Sequence, residues 1–426
     1  MPTPTAGHRF AARVLDWSTL TEVARELEAT GSDPEGVGIM TRKGQIYPMR
    51  LDGVSLKAAP LLKQEILSVG GDSAHARGIA DHSASATSVV LIATWGQYLY
   101  LLPKLRRQPF RLAELADEVE RALRAYVARG VRTIPGPHRP ITTGDRTRVM
   151  GVVNVTPDSF SDGGRFLDPD AAVAQAERLV REGADLIDVG GESTRPGASP
   201  VSPEAEWARI APVFARLAAA TSVPLSVDTR HAEVAAKAID AGADVINDVE
   251  GLRSEEMRRV VARSGAVAIA MHMRGTPTTM QENLEYADVR TEVYRTLAEA
   301  TDRARAEGIA AEKLLVDPGL GFGKSAEQSA DLLAHIGELR SLGYPVVVGA
   351  SRKSFLGWAL GASTAADRLE AGLAAAVMAA ERGVAFVRTH DVGPTVRALS
   401  LVDKIERRRA VAPPGASAVE PADPER

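Results

Sequence analysis

Short apolar runs alternate with longer alanine-rich stretches between residues 149 and 407, and this alternation constrains the fold more than any other feature. The short runs are rich in β-branched residues and apolar on both faces, as are strands of a parallel sheet covered by helices. We predict eight strands, at Val149–Val155, Leu186–Gly190, Pro224–Asp228, Val245–Asp248, Ala266–Met271, Leu314–Asp317, Pro345–Gly349 and Ala385–Thr389.

A helix is predicted after each strand. These helices are Pro169–Gly183, Pro203–Ala220, Ala232–Ala241, Ser254–Ser264, Ala287–Glu307, Ala326–Ser341, Ala365–Arg382 and Pro394–Arg407. Eight β/α units in about 260 residues are typical of a TIM barrel. The predicted fold class is therefore α/β, with a (β/α)8 TIM barrel at residues 141–407. A doubly wound open sheet is the alternative, because the number of units does not exclude it.

Polar residues gather where the predicted strands end. They are Asn154, Asp188, Asp228, Asn247, His272, Asp317, Ser351, Arg388 and His390. In a closed barrel these ends open onto one face, where the active site is built. An open sheet would spread most of them along an edge. Their positions favour the barrel.

Residues 1–140 lack this alternation and predict a smaller α+β domain. Its elements are helices at Trp17–Thr30, Leu56–Val69 and Leu112–Ala128, a strand at Val89–Ala93, and a hairpin formed by Gly36–Ile39 and Gln45–Leu51. The prolines between Thr133 and Pro140 predict a linker. Residues 408–426 are rich in proline, alanine and charge, and predict a disordered tail.

The composition excludes several classes of function. The net charge is −4, so no basic field favours nucleic acid or an anionic membrane. The chain has no cysteine, which excludes disulfides, thiolate metal sites and cysteine nucleophiles. Residues 1–9 lack the apolar core of a secretory signal, and the longest apolar stretch, Val89–Leu102, is too short to span a bilayer. We predict a cytoplasmic protein without nucleic-acid or membrane partners.

Two loops rich in glycine and polar residues follow the first two predicted strands. The first, Asn154–Gly164, offers an amide oxygen, hydroxyls and carboxylates, which suit anions and hard cations. The second, Gly190–Gly197, contains Arg195, whose planar donor group suits a phosphate or a carboxylate. Both loops are expected at the active-site face of the barrel.

The later strand ends carry further binding groups. Asp228, Asn247 and Asp317 together offer acceptors to a ligand rich in N–H donors, such as the amino-pyrimidinone edge of a pterin. Arg388 and His390 lie on the same side of an extended strand and suit a diphosphate.

Two lysines at loop ends allow alternative interpretations. Gly319–Lys324 superficially resembles a nucleotide-binding loop but lacks the Walker spacing, so we interpret it as a loop beneath a ligand whose backbone course the glycines permit. Lys353 stands at a helix start, where the helix dipole disfavours a cation. It is either a ligand-holding cation or a Schiff-base lysine.

The region between Thr147 and Val402 closely resembles the dihydropteroate synthases. The motifs that carry this resemblance are, in order, NVTPDSFSDGG, DVGGESTRPGA, SVDT, NDV, MHM, DPGLGFGK, SRKS and RTHDV. The resemblance implies a TIM-barrel enzyme of folate biosynthesis, usually a homodimer. It implies condensation of 6-hydroxymethyl-7,8-dihydropterin diphosphate with 4-aminobenzoate to 7,8-dihydropteroate and diphosphate. It also implies Mg2+ as the cofactor and sulfonamides as competitors of the aminobenzoate.

The resemblance also implies roles for individual residues. The catalytic residues are Lys353, Asp228 and Arg195, and the residue that binds Mg2+ is Asn154. The pterin is held by Asp228, Asn247, Asp317 and Lys353, and its diphosphate is contacted by Thr194, Arg388 and His390. The aminobenzoate pocket is bordered by Arg195, Pro196, Phe160 and Ser351.

Two other functions are alternatives. A pterin-dependent methyltransferase is expected to lack the first-loop motif and Lys353, and a non-catalytic pterin-binding protein is expected to lose Arg388 and His390 or Asn154. All of these are present, which favours the synthase. Glu250 departs from the family, which usually has Ser or Thr there, and adds negative charge near the predicted site.

Overall fold

The structure is a computed structural model that describes residues 12–76, 86–128, 130–156, 169–193, 199–361, 364 and 366–410. The chain divides into two compact units, one of residues 1–123 with 405–426 and one of residues 124–404.

The first unit contains a three-stranded antiparallel sheet in the order β1-β3-β2. The strands are β1 (Met49–Ser55), β2 (Asp72–His75) and β3 (Ala86–Ile92). The helices are α1 (Leu20–Glu28), α2 (Pro34–Thr41), α3 (Ala58–Ser68), α4 (Trp95–Leu105) and α5 (Leu112–Val127), the last of which continues into the second unit. Exposed and buried side chains alternate along β3, and α3 packs on the sheet and against α4. The predicted α+β class of this region agrees with these elements.

The predicted hairpin in the first unit is wrong. Residues 36–39 lie in α2, because Asp33 accepts hydrogen bonds from the backbone N–H groups of Glu35 and Gly36 and Pro34 occupies the first turn. This N-terminal cap outweighs the helix-weakening glycines within the segment. β1 pairs with β3 instead of with residues 36–39.

The second unit is a ring of eight parallel strands. They are β6 (Arg148–Asn154), β7 (Leu186–Gly190), β8 (Leu225–Asp228), β9 (Val245–Asp248), β10 (Val267–Met271), β11 (Leu314–Asp317), β12 (Val347–Gly349) and β13 (Phe386–Thr389). β13 pairs with β6, and a parallel bridge between Val316 and Val346 joins β11 to the segment that starts β12. The ring is therefore closed, so the TIM barrel is confirmed and the open sheet is excluded.

Helices connect the strands of the ring. They are α6 (Pro169–Arg181), α7 (Pro203–Ala220), α8 (Ala232–Asp240), α9 (Glu255–Ser264), α10 (Val289–Ala306), α11 (Ala326–Ala334), α12 (Ser354–Leu360), α13 (Leu369–Glu381) and α14 (Val392–Ala410). Ser202, Ser254 and Ser325 cap three of them by accepting a hydrogen bond from a backbone N–H in the first turn. The helix predicted at Ala326–Ser341 is interrupted at His335 and continues as a 3-10 helix, Ile336–Leu342. The short α12 was not predicted.

The C-terminal helix α14 runs three residues past the predicted end of the barrel at Arg407, so the start of the predicted tail is helical. Residues 411–426 lie outside the described residues. Within the described part of the chain, no helix has the length and apolar character needed to cross a membrane.

Two apolar cores hold the ring together. The larger lies between the strands and the surrounding helices, and the smaller fills the interior of the ring. The interior core consists of Met150, Leu186, Val245, Val267, Ile269, Leu315, Val347 and Phe386, together with Ile134 and Ile141. The last two come from a hairpin of β4 (Arg132–Ile134) and β5 (Ile141–Thr143), which precedes the ring in sequence.

Residues 133–140, predicted as a linker, are fixed to this end of the barrel. The backbone N–H groups of His138 and Arg139 donate to Oδ1 of Asp244 at 2.9 and 2.6 Å. The Arg139 guanidinium bonds the carbonyl oxygens of Gly242 and Ala218 at 3.1 and 2.7 Å. Asp244 begins the run into β9 and is fully buried. The hairpin therefore closes the end of the ring opposite the carboxyl ends of the strands, and leaves those ends open for a site.

Candidate active site at the carboxyl ends of the strands

The closed ring brings together polar residues from separate strands. In the pairing register, Asn154 lies beside Gly190, Gly190 beside Asp228, and Asp228 beside Asn247. Asp317 ends β11, and Arg388 lies one residue before the end of β13. These residues form one tier at the open end, as a parallel barrel requires.

The guanidinium of Arg388 joins two carboxylates. Its Nε donates to Oδ2 of Asp188 and its Nη2 donates to Oδ2 of Asp228, both at 2.7 Å. Nδ2 of Asn247 donates to the same Asp188 oxygen at 3.2 Å. The side chain of Asp188 is 0% exposed, that of Asp228 10% and that of Arg388 20%. Water screens such charge-assisted bonds weakly, so the network fixes β7, β8, β9 and β13 relative to one another.

Burial also changes the acidity of the carboxyl groups at this end. It raises the pKa of Asp228, against the opposing effect of the Arg388 charge. It raises the pKa of Asp317, which accepts a hydrogen bond from the Gly319 N–H at 2.7 Å and is opposed by the Lys353 charge. Several buried carboxyl groups with shifted pKa values beside two cations are characteristic of a functional site.

Lys353 is held against the loop that follows β11. Its Nζ donates to the carbonyl oxygen of Leu320 at 2.6 Å and lies 4.4 Å from the centre of the Phe322 ring. Burial lowers the pKa of Lys353 to about 8, and the charge of Asp317 opposes that shift. A carbonyl and an aromatic face together fix the position of the ammonium group.

Ser351 and His390 contact each other across β12 and β13. Oγ of Ser351 lies 3.2 Å from Nδ1 of His390 and accepts the His390 backbone N–H at 3.2 Å. Arg352, between Ser351 and Lys353, has a φ of 61° and pairs with the exposed side of Asp391, Nη2 to Oδ1, at 2.6 Å. The left-handed backbone at Arg352 turns its side chain away while both neighbours contact site residues.

The structure does not describe every predicted site residue. Phe160, Thr194, Arg195 and Pro196 lie outside the described residues. Asn154 is described, half-buried at the end of β6, and its side chain has no hydrogen bond among the described residues. A free amide oxygen at this position has the donor chemistry of an Mg2+ ligand.

Asp188 belongs to the site although the predicted set of site residues omits it. It receives hydrogen bonds from Arg388 and Asn247, and its second oxygen, Oδ1, is buried without a partner among the described residues. The sequence feature that indicates a role for Asp188 is its position two residues before Gly190, which places both on the same side of an extended strand. The sequence showed Asp188 as a polar residue of a strand but did not show which residue it would meet.

A second acidic group lies beside the loop that follows β7. Glu192, Glu206 and His231 offer ligand atoms within 4.8 Å of one another, which is a spacing that a metal ion can bridge. Arg230 already bonds both oxygens of Glu192, at 2.9 and 3.1 Å, and lies 3.6 Å from Glu250. Arg230 is therefore shared between Glu192 and Glu250 and offsets only part of the charge that Glu250 adds.

Glu206 is the deepest member of this second group. It is fully buried, Thr229 donates to its Oε2 at 3.0 Å, and burial raises its pKa to about 8. Glu206 is therefore largely neutral near pH 7. None of the three residues of this cluster, Glu192, Glu206 and His231, is a predicted site residue.

Comparisons with known proteins agree with this geometry. Residues 150–390 match the family described as pterin binding enzyme. The dihydropteroate synthase of Neisseria meningitidis serogroup B is 45% identical over 263 residues, which cover 60% of this chain and 92% of that protein. A crystal structure of Xanthomonas albilineans dihydropteroate synthase with 4-aminobenzoic acid has a TM-score of 0.60 and 46% identity, and the match covers 65% of this chain and 100% of that one.

A longer relative also matches the residues before the barrel. The probable bifunctional folylpolyglutamate synthase/dihydropteroate synthase of Halobacterium salinarum is 40% identical over 393 residues, or 91% of this chain. That length exceeds the barrel, so the similarity extends into the first unit. The chain spans less than half of that relative, 46% of its length.

Proposed function

The chain belongs to the dihydropteroate synthase family of pterin-binding enzymes, and we propose that it condenses 6-hydroxymethyl-7,8-dihydropterin diphosphate with 4-aminobenzoate. The products are 7,8-dihydropteroate and diphosphate. Relatives that are 45% identical over nearly their whole length are named as synthases, which favours this reaction over a pterin-dependent methyltransferase or a non-catalytic pterin-binding protein.

The observation that carries the proposal is the placement of Arg388 between Asp188 and Asp228. A guanidinium has five N–H groups, and the two carboxylates occupy two of them. The other three have no acceptor among the described residues and remain for an anionic ligand. The carboxylates fix the guanidinium before a ligand arrives, so a diphosphate would bind without the cost of ordering a long side chain.

Recognition of the pterin follows from the acceptors beside this arginine. Asp228 and Asn247 lie side by side in the register, and Asp317 lies on a strand farther round the ring. A carboxylate that accepts two neighbouring N–H groups gives oriented recognition, and the amino-pyrimidinone edge of a pterin offers that pair. The fixed ammonium of Lys353 is proposed to hold the ring by donating to it, rather than to form a Schiff base.

The chemistry requires no protein nucleophile. The bond between the pterin methylene carbon and the diphosphate oxygen breaks and leaves a delocalised cation. The aminobenzoate nitrogen then bonds to that carbon and loses a proton. Arg388 and His390 are proposed to stabilise the departing negative charge, and Asp228 the positive charge on the ring.

The amide oxygen of Asn154 at the open end of the barrel fits a divalent cation, which prefers oxygen ligands. Bound Mg2+ would neutralise charge on the diphosphate, and Asn154 is proposed as its protein ligand. Phe160, Thr194, Arg195 and Pro196 keep the roles proposed from the sequence, in the diphosphate and aminobenzoate contacts. A homodimer and a cytoplasmic location also remain predictions from the family resemblance.

The test is diphosphate release by the full-length protein supplied with the pterin diphosphate. Release is measured with and without 4-aminobenzoate and with and without Mg2+. Arg388→Met should abolish this release, and Arg352→Met serves as the matched control, because the Arg352 side chain is 46% exposed and pairs with Asp391 outside the site. We expect Mg2+-dependent release in equal amount to dihydropteroate. Pterin binding without product would contradict the proposal.

A further inference from the structure

Lys324 is a buried lysine that the proposed chemistry does not use. It ends the glycine-rich segment Gly319–Lys324, and only 3% of the residue is exposed. We propose that Lys324 is a positioning residue that holds the loop after β11 in the shape needed to bind the pterin. This inference rests on the proposed function and assigns a determinant of pterin affinity within it.

The ammonium group of Lys324 joins the loops that follow two neighbouring strands. Its Nζ lies 2.8 Å from Nδ1 of His272 and 3.3 Å from the carbonyl oxygen of His272, after β10. It also donates to the carbonyl oxygens of Gly319 and Phe322, both at 2.9 Å, after β11. Lys324 thus binds acceptors on both loops, and its position excludes the role of a nucleotide-loop lysine, which must reach a phosphate.

The chemistry of these contacts identifies the donor. Three of the acceptors are carbonyl oxygens, which never donate. Burial and the nearby Lys324 charge lower the pKa of His272 to about 2, so the imidazole is neutral and accepts at Nδ1. Burial lowers the pKa of Lys324, but four acceptors around one nitrogen match the three donors of an ammonium group better than the two of a neutral amine.

The two loops joined by Lys324 approach each other most closely at Gly319. Gly319 has a φ of 62°, and a Cβ there would lie 2.0 Å from the His272 carbonyl oxygen, so the two loops approach too closely for any side chain. Without Lys324, the His272 carbonyl oxygen would lose its only donor among the described residues, and the Gly319 carbonyl oxygen would keep only the Phe322 N–H, 3.1 Å away. Buried acceptors without a donor are costly, so the loops would be expected to separate.

The link to the site is the contact of this same loop with Lys353. The carbonyl oxygen of Leu320 and the ring of Phe322 hold the Lys353 ammonium. Lys324 binds the carbonyl oxygens of Gly319 and Phe322, and these two residues enclose Leu320 in the chain. Asp317, which accepts from the Gly319 N–H, is fixed by the same segment. Separation of the loops would therefore displace two of the groups proposed to hold the pterin, while leaving Arg388 in place.

The experiment compares Lys324→Met with Lys313→Met in the full-length protein. Lys313 also donates from Nζ to backbone carbonyl oxygens, including that of Gly265 at 2.9 Å, but it lies at the opposite end of β11. The dissociation constant for the pterin diphosphate is measured by calorimetry, and the melting temperature of each variant is recorded. We expect Lys324→Met to weaken pterin binding by about tenfold to 100-fold, which is the range for one lost hydrogen bond between a charged group and the ligand.

Lys313→Met should lower the melting temperature without changing pterin affinity. Since the chain has no cysteine, Lys324→Cys can be aminoethylated selectively during refolding, which restores an ammonium group at nearly the original position. We expect this treatment to recover pterin affinity. Lys313→Cys treated in the same way controls for the chemistry.

The outcomes separate this inference from the proposed function. Wild-type protein that does not bind the pterin diphosphate overturns both. Wild-type protein that binds, with a folded Lys324→Met that binds equally well, overturns only the positioning role. If Lys324→Met does not fold, Lys324→Arg is used, because a planar guanidinium retains the charge but cannot reach four converging acceptors. Unchanged pterin affinity in that variant also overturns the role.

Discussion

Replacement of Arg388 by Met tests the central network of the site. In the wild type, the guanidinium bonds Asp188 and Asp228 at 2.7 Å each, and the side chain of Asp188 is 0% exposed. Methionine has a similar length but no donors, so both carboxylates would lose their cationic partner inside the barrel. Asn247 would still donate to Asp188, but an amide does not neutralise its charge.

The expected loss of stability follows from this burial. Removal of one partner from a buried ion pair costs about 3–5 kcal/mol, because the remaining charge is left unpaired. For the unit of residues 124–404 that corresponds to a fall in melting temperature of about 5–8 °C. The exposed pair of Arg352 with Asp391 is expected to contribute no more than about 1 kcal/mol, so Arg352→Met is a control with the same change of side chain.

The loss should also depend on pH. Without Arg388, the pKa of Asp228, already raised by burial, is expected to rise further above its value in the unfolded chain. A carboxyl group with a raised pKa costs nothing at a pH below its unfolded pKa, where both states are protonated. The cost grows as the pH rises above the unfolded pKa and is complete once the pH passes the folded pKa. The deficit of Arg388→Met should therefore be larger at about pH 8 than at about pH 5.

The assay is urea denaturation of the wild type, Arg388→Met, Arg352→Met and the double variant Arg388→Met with Asp188→Asn. The double variant removes one of the two stranded charges, so it should recover part of the stability but none of the diphosphate release. An Arg388→Met protein as stable as Arg352→Met at both pH values would refute the buried network. A double variant that is less stable than Arg388→Met alone would also refute the buried network.

Three further predictions concern single groups. Lys353→Met should weaken pterin diphosphate binding by about tenfold or more, since it removes the cation fixed on Leu320; unaltered affinity in calorimetry would contradict that role. Asn154→Ala should raise the Mg2+ concentration needed for half-maximal diphosphate release, whereas an identical Mg2+ titration would remove Asn154 from the metal site. The raised pKa of Glu206, about 8, means that wild-type stability falls as the pH rises from about 4.5 to about 8. Glu206→Gln should show a smaller fall, because Asp228 and Asp317 also have raised pKa values and still contribute to it. Free energies of unfolding that change in parallel for the two proteins across this range would show that Glu206 is not buried as a neutral acid.

Much of the barrel could be predicted because each unit carries its own local signals. Every predicted strand of the ring is present, with ends that differ by at most two residues. The first unit was harder to predict, since the apolar stretch Val89–Leu102 contains the end of β3 and the start of α4. The change from strand to helix occurs at Thr94, which forms a capping box with Gln97. An apolar run alone does not distinguish the two structures, and the capping residues carry the information.

The site was predicted through its residue types, whereas its contacts depend on closure of the ring. Arg388 bonds partners 200 and 160 residues earlier in the chain, and no local pattern predicts which carboxylates will meet it. Asp188 was overlooked as a site residue for this reason. The glycine-rich context of Lys324 predicts a loop, but its four acceptors come from the approach of two loops, which no local pattern predicts.

The hairpin of β4 and β5 sets where an autonomously folding fragment of this chain can begin. A fragment starting at Ile141 would contain every β/α unit but would lack Ile134, which is 3% exposed in the whole chain and belongs to the interior core. Water would then reach that core from the closed end, and limited proteolysis should find such a fragment far more susceptible than one that starts before Arg132. The smallest stable fragment that contains the barrel therefore includes residues that precede its first strand. Proteolytic cleavage within residues 135–140 is expected to be slow, although the prolines and glycine of this segment resemble those of a flexible linker.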